Sequence, residues 1–125
     1  MIVGIGIDIL SVARMARAIE RGQERLLERL FTPGEQADAG GVRTSERLAA
    51  RFAAKEAALK ALGTGWSMGI AWRDVEVVSA PSGQPALRIT GRAAERAREL
   101  GVTRSHVSLS HQDGMVAALV ILEGP

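Results

Sequence analysis

The chain has 125 residues, no cysteine, few aromatic side chains and a formal net charge of +2. This length suits one domain with a single core, and the missing cysteines exclude a disulfide framework and thiolate chemistry. No apolar run approaches the ~20 residues of a membrane span, and the small net charge gives little support to nucleic-acid binding. We therefore expect one domain over residues 1–125, soluble and cytoplasmic.

The first ten residues alternate as a β-strand does. One face carries branched apolar side chains, at Val3, Ile5, Ile7 and Ile9. The other face carries Gly4, Gly6 and Asp8. Glycine within a strand marks a bulge or a place where other backbone or a ligand comes close. Asp8 is then either a helix cap or a ligand for a positive group, and Ser11 is better placed to be the cap.

An arginine-rich segment follows the strand. A helix is predicted from its cap at Ser11 to about Arg21, with Gly22 as the stop, and a second short helix over residues 23–31. Three guanidinium groups share one stripe of the first helix, those of Arg14, Arg17 and Arg21. The stripe is either a solvated helix face or a docking surface for an acidic partner.

Residues 32–35 predict a capping box, with Thr32 as the N-cap and Glu35 reaching back to it. We expect this cap to use the Glu35 carboxylate fully. The glycine-containing stretch that follows, residues 38–44, is expected to be a flexible connector.

The central helix is predicted from an N-cap at Ser45 to a left-handed glycine at Gly63. It is apolar nearly all round and rich in alanine, so we expect it to be buried. Lys55 falls within its apolar stripe, where its stem can cover apolar neighbours while the ammonium stays in water. Glu56 and Lys60 lie one turn apart, either as an exposed ion pair or as functional groups.

The second half of the chain is mostly strands. Strands are predicted over residues 74–79, 86–90, 106–110 and 115–122, with a helix over 91–100. Trp66 and Trp72 are interpreted as core or subunit contacts. The last strand lies either in mid-sheet or under a neighbouring subunit. This order predicts an α+β fold in which an antiparallel sheet packs against the central buried helix.

Two motifs resemble the signatures of the 4′-phosphopantetheinyl transferases. They are Gly6-Ile7-Asp8 followed by Arg14, and the run from Phe52 to Ala61 that contains Lys55-Glu56 and Lys60. The closer similarity is to the short acyl-carrier-protein synthase branch, and residues 31–35 and 106–111 extend it. The resemblance implies that family's fold and the transfer of phosphopantetheine from coenzyme A to a serine of an apo acyl carrier protein. Adenosine 3′,5′-bisphosphate would be released, in support of fatty acid or polyketide synthesis.

With that activity, Asp8 and Glu56 are the expected ligands of Mg²⁺, because they offer hard oxygen atoms and no zinc-type His/Cys set is present. Lys60 is expected to hold a phosphate oxygen, and Arg51 another phosphate of the nucleotide. The remaining candidates for binding coenzyme A are Gly63, Gly65, Ser110 and His111. The arginine stripe then becomes the surface for the acidic carrier protein.

The candidate catalytic residues are Asp8, Glu56, Lys60 and His111. The general base is left open between Glu56, acting directly or through a metal-bound water, and His111. His106 is expected to be structural. The resemblance also implies a homotrimer with active sites at subunit interfaces, which allows Asp8 and Glu56 to meet across a boundary.

Two other classes of function compete with the transferase. A non-enzymatic module could dock acidic proteins or RNA through the arginine stripe, but it does not explain Asp8 or Glu56. A different Mg²⁺-phosphate enzyme, such as a nucleotide hydrolase, has no supporting water-positioning motif. Mg²⁺-dependent binding of coenzyme A distinguishes the transferase from the module.

Overall fold

The computed structural model describes residues 1–125 and confirms the α+β class. Its helices are α1 (Val12–Leu30), α2 (Pro33–Asp38), α3 (Thr44–Ala61) and α4 (Gly91–Glu99). Its strands are β1 (Ile2–Ser11), β2 (Val75–Ser79), β3 (Pro85–Ile89), β4 (Arg104–Gln112) and β5 (Met115–Glu123). A 3₁₀ helix, Trp72–Asp74, precedes β2. None of the helices combines the length and apolarity that crossing a bilayer requires.

The strands form two antiparallel sheets. One has three strands in the order β1-β5-β4, and the other is the β2-β3 hairpin. Because β5 lies between two partners, its long apolar run needs no second subunit to satisfy its backbone, and the mid-sheet prediction is confirmed. Its inward side chains are buried, at Val116, Ala118, Val120 and Leu122.

The central helix α3 lies directly on β1 at the two strand glycines. A Cβ added to Gly4 would lie 2.1 Å from the Ala61 carbonyl oxygen, and one added to Gly6 would lie 1.9 Å from that of Ala57. Only glycine permits this approach, so the prediction that other backbone comes close to β1 is confirmed. The next residue on the same face, Asp8, is thereby brought beside α3.

The boundaries of α1 and α3 differ from prediction in detail. Ser11 caps α1 as expected, accepting from the Arg14 amide at 3.3 Å. The helical path breaks at Gln23 (φ 49°, ψ −140°), one residue after the predicted stop, and a second helical stretch then reaches Leu30. The Ser45 cap is wrong, because α3 already begins at Thr44. Gly63 has the expected left-handed conformation, with φ 75°.

Lys55 and Glu35 form a fully buried ion pair beneath α3, with 2.8 Å between Nζ and Oε1. Lys55 Nζ also donates to the carbonyls of Trp72 and Val75, while Glu35 Oε2 accepts from the Val77 amide at 2.9 Å. Burial lowers the pKa of Lys55, and the charge of Glu35 opposes that shift. Two expectations are therefore wrong: the ammonium is not in water, and Glu35 is not confined to its cap.

Candidate active site

Asp8, Glu56 and Lys60 line one cavity of about 340 Å³. Its other walls are Leu59, Gly65, Trp66 and Trp72. Because the β1 glycines seat α3 on the strand, the two carboxylates meet within one protomer. No subunit boundary is needed to bring them together.

Lys60 pairs with Asp8. Its Nζ donates to Asp8 Oδ1 at 3.1 Å and to the Ile7 carbonyl at 2.9 Å. The ion pair of Lys60 is therefore with Asp8, on another element, and Lys60 keeps a half-exposed side chain. The second oxygen of Asp8, Oδ2, is buried and has no hydrogen-bond partner.

Glu56 is held in an environment that disfavours its charge. Burial, followed by the neighbouring Asp8 carboxylate, raises its pKa from 4.5 to about 7, and the positive charge of Lys60 opposes the rise. Two close carboxylates that are both ionised repel each other, and a cation placed between them relieves that repulsion.

The carboxylate pair suits a hard divalent cation. The structure contains no cluster of three or more His, Cys, Asp or Glu side chains that could hold a metal alone. Mg²⁺ is commonly bound by one or two carboxylates, with substrate phosphates and water completing its shell. The unpartnered Asp8 Oδ2 and the raised pKa of Glu56 both fit such a partial site.

A second cavity, of about 550 Å³, forms a groove between α1 and α3. Arg14 and Arg21 line it, whereas Arg17 is exposed on the same helix outside its lining. No ion pair of the structure uses these three arginines. Glu56 lines this groove as well as the smaller cavity, so the two cavities adjoin at this residue.

The rings of Trp66 and Trp72 line both cavities, and Phe52 lines the groove beside them. Trp66 and Trp72 stack at 5.8 Å between ring centroids, and Phe52 lies 4.9 Å from Trp72. The Arg29 guanidinium sits 4.9 Å from the Trp66 ring centroid. This role of the tryptophans was not predicted from the sequence. The only signal was that Trp66 directly follows Gly65 in the glycine-containing loop after Lys60.

Arg51 lies in a third cavity, of about 420 Å³, between α3, the β2-β3 hairpin and β4. Its Nε is buried without a partner, Nη2 lies 3.8 Å from Asp38, and burial lowers the pKa of the guanidinium. Arg51 precedes Glu56 by five residues, which places the two side chains about 140° apart around an ideal helix. They therefore do not converge within one protomer.

The last two candidates for coenzyme A binding lie on β4 and face opposite ways. His111 Nδ1 is 3.7 Å from Glu46, near the start of α3, and pairs in register with Val116, which in turn pairs with Leu10. It therefore stands two strands, about 10 Å, from β1. Ser110 faces the outer side of the sheet. Asp8, Glu56, Lys60 and Gly65 thus line one cavity, whereas Arg51, Ser110 and His111 lie outside its lining.

A model of the 4′-phosphopantetheinyl transferase superfamily matches residues 4–120. The chain belongs to this superfamily. The holo-[acyl-carrier-protein] synthase of Geobacter sulfurreducens is 50% identical to it over 126 residues, covering 100% of both chains.

Solved structures of the holo-[acyl-carrier-protein] synthase branch share the fold. The enzyme from Neisseria meningitidis superposes with a TM-score of 0.88 at 34% identity, covering 98% of this chain and 99% of that one. The enzyme from Helicobacter pylori, solved in complex with coenzyme A, gives a TM-score of 0.85 at 29% identity, covering 95% and 99%. The predicted branch, the fold and the assignment as a phosphopantetheinyl transferase are confirmed.

Proposed function

We propose that this phosphopantetheinyl transferase is a Mg²⁺-dependent holo-[acyl-carrier-protein] synthase. A serine hydroxyl of the apo carrier protein attacks the phosphorus that bears the pantetheine arm of coenzyme A. A new serine O–P bond forms, the diphosphate bond breaks, and adenosine 3′,5′-bisphosphate leaves. The names of the relatives and the coenzyme A complex of a structural neighbour support both substrates.

The observation that carries this proposal is the position of Glu56 at the junction of two cavities. One cavity holds Asp8 and Lys60, which suit a cation and a phosphate. The other carries the arginines that suit an acidic protein. A serine that enters along the arginine-lined groove therefore arrives where the diphosphate of coenzyme A would bind.

Two sets of side chains would help to neutralise the negative charge of the coenzyme A diphosphate. Asp8 and Glu56 would hold Mg²⁺, which when bound neutralises charge on the diphosphate. Lys60 supplies a half-exposed ammonium for a phosphate oxygen. Gly63 and Gly65 have no side chains, so coenzyme A can approach their backbone closely. Gly65 lines the cavity.

Glu56 is the group we assign to accept the serine proton. Its carboxylate lines the groove along which the serine would arrive, so it is placed to accept that proton. His111 stands two strands away from β1, which carries Asp8. We therefore assign it to a phosphate of the nucleotide and not to the serine proton.

The oligomer that we propose is a homotrimer with interfacial active sites. On the outer face of the three-stranded sheet, the side chains of Ile5, Ile7 and Ile9 are between 61% and 66% exposed. Such a row of exposed apolar side chains is typical of a surface that another protein covers. Within one protomer, Arg51 and His111 lie outside the cavity that Lys60 lines. We propose that a partner subunit, which also covers the isoleucines, completes each site with these two residues.

Binding experiments test the two substrate surfaces separately. We expect coenzyme A to bind in the presence of Mg²⁺ and to bind weakly with EDTA. Changing Arg14, Arg17 and Arg21 together to Glu should weaken binding of the apo carrier protein at least ~10-fold, because each reversal turns attraction into repulsion. The affinity for coenzyme A should stay within about two-fold of wild type.

The matched control replaces Arg88, which pairs with Glu76 on the β2-β3 hairpin, by Glu. An equal loss of both affinities in the triple variant would contradict the docking role. A folded protein that binds carrier protein but no coenzyme A, with or without Mg²⁺, would instead support a docking module. The cytoplasmic location and the role in fatty acid or polyketide synthesis stay predictions.

A further inference from the structure

The wall of the candidate active site includes a strained loop, residues 63–69, between α3 and the 3₁₀ helix. Its glycines Gly63, Gly65 and Gly69 have positive φ angles, and so does Met68, at φ 60°. A residue with a side chain persists in this conformation only where its surroundings hold it. Gly65 and Trp66 of this loop line the cavity that contains Asp8 and Glu56.

Two arginines of α4 hold the loop at both ends. Arg96 Nε donates to the carbonyl of Leu62 at 3.1 Å, where α3 ends. Arg92 Nε donates to the carbonyl of Met68, the strained residue, at 3.2 Å. Both arginine side chains are largely buried, with 25% and 31% of their surface exposed.

Glu99 fixes the two arginines relative to each other. Its Oε1 accepts from Arg92 Nη1 at 3.1 Å and its Oε2 from Arg96 Nη1 at 3.4 Å. These contacts, that with Arg92 foremost, lower the pKa of Glu99. Arg98, on the same helix, instead lines a separate cavity beside β3 and β4.

We propose that Arg92 and Arg96 are positioning residues, which hold loop 63–69 in the geometry that closes the candidate active site with Gly65 and Trp66. They touch neither Asp8 nor Glu56, which are placed by β1 and α3. Loosening the loop therefore weakens substrate binding more than it slows the chemical step. The substrate involved, coenzyme A, rests on the proposed function.

Arg92→Met and Arg96→Met test the proposal, with Arg98→Met as the matched control. The chain has two tryptophans, which stack on each other, so the loop can be followed by their acrylamide quenching and near-ultraviolet circular dichroism. Both test variants should increase quenching about two-fold and weaken the aromatic dichroism at a temperature where every variant is folded. KM for coenzyme A should rise roughly 3- to 10-fold with kcat within about two-fold, and Arg98→Met should match wild type.

Arg92→Lys should restore most of the wild-type quenching, because its ammonium can still donate to the Met68 carbonyl. If Arg92→Met does not fold, Glu99→Gln tests the same contacts with a smaller effect, and Arg92→Lys stays the variant expected to match wild type. Unchanged quenching in both test variants would overturn the proposal, and so would equal changes in Arg98→Met. A wild-type protein that transfers nothing would refute the proposed function, while the quenching series would still decide the role of the arginines.

Discussion

Glu56 combines a half-buried setting, a neighbouring carboxylate and a place at the junction of two cavities. Its pKa is raised from 4.5 to about 7, so the protonated form is the one that the metal-free fold favours. This contribution to stability is fully present below pH 4.5 and is lost as the pH rises through 7. Ionising Glu56 near neutral pH therefore costs the metal-free protein part of its stability.

Replacing Glu56 by Gln should remove this pH dependence. In metal-free buffer with EDTA, we expect the thermal midpoint of the variant to gain a few degrees on wild type between pH 5 and pH 8, since solvent screens part of the effect. The control is Glu24→Gln on the exposed side of α1. A constant difference between Glu56→Gln and wild type across this pH range would contradict the account.

Side chains on regular elements were predictable, and those placed by long-range contacts were not. Asp8 and Lys60 follow from strand and helix periodicity, which fix the face of a residue from local sequence alone. Trp66 joins the site through a loop with positive φ angles, and Arg29 reaches it across a break in α1. No periodicity predicts either position.

The elements beneath the site are joined by the Lys55–Glu35 pair. Lys55 belongs to α3, Glu35 to α2, and their further partners include the backbone of β2. The two residues are 20 positions apart in sequence. The local sequence already assigned a separate role to each residue, a solvated ammonium to Lys55 and a helix cap to Glu35. Their pairing depends on how the helices pack, which the local sequence does not specify.

Lys55→Met should destabilise the fold by about 3–5 kcal/mol, because Glu35 would be left buried without its counter-charge. The double variant Lys55→Met with Glu35→Gln should recover part of that loss, since no unpaired charge remains. Urea unfolding of wild type, both single variants and the double variant measures the coupling. Additive losses would show that the two groups do not stabilise each other.

At the level of the whole molecule, the sheet has a covered face and an open one. The helix-covered face was predictable from the glycines and the alanine-rich helix. Strand β1 alternates between two faces as predicted, but its apolar face, with Ile5, Ile7 and Ile9, is exposed in one protomer. A single sequence shows that such a face exists without showing what covers it.

Ile7→Lys should break the proposed homotrimer, because a charge would lie in the middle of the apolar row. Sedimentation equilibrium should find a trimer for wild type and a folded monomer for the variant, together with a large loss of transfer activity. Val42→Lys, at a fully exposed position, should change neither property. A wild-type protein that is monomeric and fully active would contradict the interfacial site.

The central claim is that phosphopantetheine is transferred in the cavity that Asp8 and Glu56 line. Its most direct test is the intact mass of an apo acyl carrier protein incubated with coenzyme A, Mg²⁺ and this protein. Parallel samples contain EDTA, Asp8→Asn, Glu56→Ala, or the control Asp113→Asn in the β4-β5 turn. We predict the gain of one phosphopantetheine with wild type and Asp113→Asn, and none in the other three. Transfer that survives Asp8→Asn and Glu56→Ala, or no transfer by folded wild type to any of several carrier proteins, would contradict the account.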